Sequence, residues 1–172
     1  MTLKRTTPTP PRQRFNASKV AAFIASLAIG HIRTRTGEGL DVEDAPFAMY
    51  STEYAETRAE LGRNTGFVDL LMSGGMLNSV RVVDSSGGAD LASVTIGVGT
   101  GTSPRVRPPS KTRRRGGSRT GSRGPAHNLL ARWHNEGTGR NPKRKWFGVS
   151  AKGSAMLERE TKRVLAKFLE NK

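Results

Sequence analysis

The chain has 172 residues, 34% apolar and 6% aromatic, with 29 Lys and Arg against 14 Asp and Glu and a net charge of +15. That length supports one domain with a modest core, and so thin an apolar content leaves part of the chain outside it. The lack of cysteine excludes disulfides and thiolate metal sites, and the surplus of cations implies an acidic partner, either nucleic acid or an acidic protein surface.

Residues 1–15 read as a flexible basic arm, because Pro8, Pro10 and Pro11 forbid a helix and nothing supplies an apolar face. The most apolar window, Val20 to Ile29, is too short to span a bilayer, so a soluble protein made in a cytoplasm is expected. Asn16 suits the N-cap of a helix running to about Arg35, with Val20, Phe23, Ile24, Leu27 and His31 on one stripe and Gly37 as the stop. The next stretch holds half of the acids: Glu38, Asp41, Glu43, Asp44, Glu53, Glu56 and Glu60. Within it, Ser51 followed by YAETRAEL predicts a short capped helix ending near Gly62.

The period then changes. LNSVRVV and SVTIGVG alternate, with Val80 and Val82 on one face and Val94, Ile96 and Val98 on another. With DSSGGAD as the turn, they predict an antiparallel hairpin. Residues 102–125 read as an inserted basic loop without regular structure. It carries Arg105, Arg107, Lys111, Arg113, Arg114, Arg115, Arg119 and Arg123 and no acid. An apolar patch of Leu129, Leu130 and Trp133 follows, and a closing amphipathic helix is predicted from Ser154 to about Glu170. The order of elements predicts an α+β domain over residues 16–172: a small antiparallel sheet packed by the N-terminal and C-terminal helices.

The stretch ARWHNEGTGRNPKRKWFGVS, residues 131–150, holds the residues that look most like chemistry. His134 and Glu136 supply at most two metal ligands, and residues two apart share a face only on a strand, so a structural or interfacial histidine is the better reading. No serine lies in a nucleophile elbow, and GVGTGTS and GRNPKRK lack the context of phosphate-binding loops. The basic loop can bind phosphates without reading bases, or dock on an acidic protein face. Trp146 and Phe147, adjacent on an extended segment, point to opposite faces, so that one enters the core and the other meets a neighbouring subunit, unless both are core.

Several segments together resemble the phage virion morphogenesis family, the tail-completion and head–tail joining proteins of tailed bacteriophages. GEGLDVEDAPFAMYSTEYAETR is similar to the family's G-x-D-x-x-G-x-x-F-x-x-Y-S segment through Asp41, Phe47, Tyr50, Ser51 and Tyr54, with Ala45 in place of the usual glycine. DLLMSGGMLNSVRV resembles the entry to the first strand through Leu70, Ser73, Gly74, Met76, Leu77 and Ser79, and VTIGVGT resembles the second strand. Residues 131–150 are similar to a further family segment through Ala131, His134, Gly137, Thr138, Pro142, Arg144, Phe147, Gly148 and Ser150. The basic loop and the N-terminal arm lie outside the pattern.

The resemblance implies a non-enzymatic structural subunit without cofactor, in a ring that joins portal or adaptor proteins to the tail tube or terminator around the DNA channel. Such a protein is assembled in the bacterial host cytoplasm and resides in the virion neck or tail. His134, Gly137, Thr138, Pro142, Phe147 and Gly148 are then expected to be structural. Arg140, Lys143, Arg144, Lys145 and Trp146 are expected to form an interface with acids such as Glu43, Asp44, Glu53 and Glu56, since each subunit of a ring offers one face to the next. The loop cations are expected at packaged DNA or at an acidic connector surface. Composition alone supports a different class, a non-specific nucleic-acid-binding protein of ribosomal or nucleoid kind, and a metal-dependent nuclease is a distant third.

Overall fold

The structure, a computed structural model, describes residues 16–88, 90–104, 123–138 and 141–170. Helix α1 (Ala17–Gly37) starts where the sequence places it: the Asn16 side chain accepts from the Lys19 amide at 3.1 Å and satisfies one of the orphan donors of the first turn. Its buried face is not the predicted stripe. Ala25, Ala28, Ile32, Arg35 and Thr36 are buried, whereas Phe23 is exposed and Val20, Ile24, Leu27 and His31 are half-buried. The two faces are offset by one residue, about 100° of helical rotation. Small side chains at positions 25 and 28 let neighbouring elements come close, and closeness here outweighs the apolar area offered by the stripe.

The chain next turns tightly. Asp41 Oδ1 accepts from the amides of Glu43 at 2.8 Å and Ala45 at 3.0 Å, Leu40 bridges Pro46, and Asp44 takes a left-handed φ of 59°. The turn delivers Phe47 to the core. Helix α2 (Thr52–Glu60) follows Ser51 as expected, although the serine makes no side-chain cap bond. The one-turn helix α3 (Gly75–Asn78) inserts Met76 and Leu77.

Strands β1 (Val80–Gly87) and β2 (Ala92–Val98) form the expected antiparallel hairpin, pairing Val80 with Val98 and Val82 with Ile96. The register then shifts so that Asp84 faces Thr95, which leaves Val83 as a bulge. Pairing continues through Gly87, and the turn is closed by the Gly88 amide on the Leu91 carbonyl at 2.7 Å, so the connection is tighter than DSSGGAD suggested. A second two-stranded sheet joins β3 (Thr102–Pro104) to β4 (Arg123–Ala126), so the ends of the predicted irregular loop are paired. Its middle, residues 105–122, lies outside the described residues.

The architecture is α+β. Helix α1 lies across the hairpin, and the closing helix α5 (Ala151–Glu170) lies against α1. At their junction His31 Nε2 is 3.1 Å from Ser150 Oγ, and the His31 ring fills the space that a side chain at Gly153 would need, 2.4 Å from the position of its Cβ. The core joins Ile32, Phe47, Val68, Leu70, Met76, Leu77, Val80, Ala131 and Trp146. Each fully buried aliphatic side chain of this kind contributes about 2 kcal/mol by removal from water.

Candidate functional site: buried arginines around Tyr50

Helix α4 (His127–Glu136) carries both His134 and Glu136, so their spacing of two places them on different faces. The helix ends at Gly137, whose φ is 72°; a Cβ there would lie 2.8 Å from the Lys143 amide. That approach folds the next segment back, and the Arg144 amide bonds the His134 carbonyl at 2.7 Å.

Residues 141–150 are an irregular segment held by its own chain. Arg144, expected at an interface, is 4% exposed. Its guanidinium donates from Nε to the Ala48 carbonyl at 3.0 Å and from Nη2 to the Met49 carbonyl at 3.1 Å. The physical reason is that residues 48 and 49 lie outside regular structure and keep free carbonyls, which a planar fork of donors can satisfy. Trp146, also expected at an interface, is 0% exposed, and its Nε1 donates to the Ala131 carbonyl at 3.1 Å. Phe147 meets it edge to face at 5.4 Å between ring centroids and packs on the core, so both aromatics turn inward. Arg35 of α1 donates to the Trp146 carbonyl and ties the segment to the first helix.

Arg144 is one side of a larger cluster. Arg58, 0% exposed on α2, pairs with Asp69 at 2.8 Å and donates to the Asn64 carbonyl at 2.9 Å. The Asp69 Oδ1 also accepts from the Leu71 amide at 2.9 Å and from the Tyr50 hydroxyl at 3.3 Å. Tyr50 Oη in turn accepts from the Leu70 amide at 3.2 Å. Both cations approach the ring of Tyr50, with Arg58 Cζ at 4.6 Å and Arg144 Cζ at 5.4 Å from its centroid. Tyr54 meets it edge-on at 5.0 Å.

Burial sets the electrostatics. It pushes the Tyr50 phenol up to about 12 and lowers Arg144, and it takes His134 down to about 4 with the Arg144 cation adding to the effect. His134 is therefore neutral near pH 7. The Arg58–Asp69 pair is compensated, whereas Arg144 forms no ion pair among the described residues. Two clefts open on the cluster. One, of about 200 Å³, is lined by Tyr50, Tyr54, Arg58, Met72, Leu130 and His134 among others. The second, of about 270 Å³, shares Tyr50, Tyr54, Leu130 and His134 and adds Trp133 and Arg144.

The other expected contact residues are placed as follows. Lys143 is exposed, and Lys145 makes an exposed ion pair with Glu43 at 2.7 Å, so two residues expected to serve different subunits meet within one chain. Glu53 and Glu56 are exposed on α2, and Asp44 is half-buried in the turn after α1. Thr138 and Pro142 are exposed, the Thr138 carbonyl accepts from the Asn141 amide at 3.1 Å, and Gly148 has a φ of 149°. Arg105, Arg107, Lys111, Arg113, Arg114, Arg115, Arg119 and Arg140 lie outside the described residues, and Arg123 is described only through its backbone in β4.

Arg58, Asp69 and Arg35 are absent from the sequence-based site. Arg35 falls in register with Ala25, Ala28 and Ile32 on the buried face, which the apolar stripe of the helix does not mark. Among the described residues no group of three or more His, Asp or Glu is placed to hold a metal, and no helix is long and apolar enough to cross a membrane.

Searches against protein-family models, curated proteins and solved structures return no match to this chain.

Proposed function

We propose that the chain is a structural subunit of a phage head–tail connection, a neck or tail-completion ring that joins portal or adaptor proteins to the tail around the DNA channel. What supports this reading is the convergence of the residues that carry the resemblance. They come from separate segments, yet Phe47, Met76, Leu77 and Ala131 share one core, and Tyr50, Arg144 and His134 share one cluster beside it.

Electron microscopy of the purified protein, and of host particles carrying a tagged copy, tests the proposal. Rings coaxial with the channel at the head–tail junction are expected, and a monomer with no place in the particle overturns it. The second reading, a non-specific nucleic-acid-binding protein, is favoured by Lys111 and the six arginines of residues 105–122. It requires tight DNA or RNA binding by the isolated protein, whereas a ring subunit has little affinity outside its assembly.

A further inference from the structure

We propose that the paired clefts around Tyr50 and Tyr54 form a receptor for a carboxylate on an apolar stem: an acidic side chain next to an aromatic or aliphatic one, in a segment of a partner protein. The chemistry of this site is the same whether or not the chain belongs to a phage connector.

Charge is the first argument. The cluster holds two guanidiniums, Arg58 and Arg144, and one carboxylate, Asp69, which pairs with Arg58 at 2.8 Å. Arg144, 4% exposed, is left with backbone carbonyls and the Tyr50 ring. A buried cation without a counterion is costly, and a second carboxylate entering the cleft would balance it.

Two buried nitrogens beside the clefts lack partners among the described residues. Arg58 is 0% exposed and lines the smaller cleft, and its Nη1 has no hydrogen-bond partner among the described residues. Nδ1 of His134, which lines both clefts, has none either. Buried polar atoms are normally satisfied; Arg58 Nη1 calls for an acceptor, and the neutral His134 ring meets one in its Nδ1–H tautomer.

The walls decide which anion. Met72, Met76 and Leu130 give the smaller cleft an apolar lining, and its volume of about 200 Å³ suits one side chain. A duplex backbone presents its phosphates on a hydrophilic, continuous strand that cannot enter such a slot. A carboxylate on a short methylene chain in the second cleft of about 270 Å³, which Arg144 lines, beside an apolar neighbour for the smaller cleft, matches both the charge and the lining.

The full chain is titrated with the dipeptide acetyl-Glu-Phe-amide and with its Gln isostere, read by Trp fluorescence and by imidazole NMR of His134. The Glu peptide is expected to saturate and to perturb His134, and the Gln peptide to bind about tenfold more weakly or not at all. Arg144→Gln should remove that discrimination. Because Arg144 supports the fold, Tyr54→Glu is the second variant: Tyr54 is 38% exposed on both clefts, so its replacement spares the core and supplies a rival carboxylate. It should abolish binding of the Glu peptide, while Tyr54→Gln weakens it less. Equal affinity for the two peptides overturns the proposal. So does binding indifferent to Tyr54→Glu, and so does a response to free 3-phenylpropionate or a short DNA duplex without any to the peptide.

Discussion

At the scale of single residues, the arginines organise this protein more than its few aromatics do. Arg58 has its charge balanced by Asp69 at 2.8 Å in a site with almost no solvent. Asp69→Asn removes the counterion and leaves the guanidinium buried, which should cost about 3–5 kcal/mol, read as a fall in the urea midpoint. The double variant Arg58→Met, Asp69→Leu should recover part of that loss, since it buries no charge. His134 makes the fold sensitive to acid. Its pKa is lowered from 6.5 to about 4, so between those values the unfolded chain takes up a proton that the folded chain refuses. Its contribution is whole above pH 6.5 and is lost as the pH falls toward 4, on the order of 3 kcal/mol in all. His134→Gln should flatten the thermal melting point over that interval. Burial also lowers His31, so some slope should persist in the variant.

At the scale of elements, close backbone approach is the recurring device. Gly137 ends α4 with a φ of 72° against the Lys143 amide, and Gly137→Ala should destabilise by about 1–3 kcal/mol in chemical denaturation, with residues 141–147 losing amide-exchange protection first. Gly153→Ala forces a side chain into the His31 ring and should separate α5 from α1. Much of this level was legible in the sequence. Asn16 before an apolar run, Ser51 before YAETRAEL, and two alternating segments around a glycine turn are local signals, and each produced its element. The packed face of α1 was not legible, because periodicity finds the most apolar stripe while packing selected the side chains small enough for a neighbour to approach. The buried cations were invisible for a related reason. Arg58 meets Asp69 eleven residues on, Arg144 meets carbonyls some 95 residues back, and Arg35 meets one 111 residues ahead. No short window of sequence holds both halves of the Arg144 and Arg35 contacts, and no periodicity pairs Arg58 with Asp69. The same limit misplaced Arg144 and Trp146 at an interface: KRKWF looks like a charged rim until the turn at Gly137 folds it inward.

At the scale of the whole molecule, the charge of +15 is divided between cations built into the frame and cations carried outside it. Lys143 is exposed and Lys145 is tied only to the exposed Glu43, so Lys143→Glu with Lys145→Glu should leave the thermal midpoint nearly unchanged. In a ring subunit the same pair should lower the yield of joined particles, and unchanged yield with intact necks would remove this face from the assembly. The basic segment has a separate signature. If its cations meet DNA, retention on a duplex should fall with salt at a log–log slope approaching roughly −6 for seven phosphate contacts, and Arg→Gln changes should lessen the slope one contact at a time. The stem beneath that segment has a consequence of its own. Thr102 pairs with Ala126 and Pro104 with Arg123, so the segment leaves and returns at two points held about 5 Å apart, the spacing of adjacent strands. Chain entropy charges only about 0.6 kcal/mol for each doubling of what is strung between two such posts. Replacing residues 105–122 with a short Gly-Ser turn should therefore leave the melting point close to that of the intact chain, since the two ends are already paired by the β3–β4 stem.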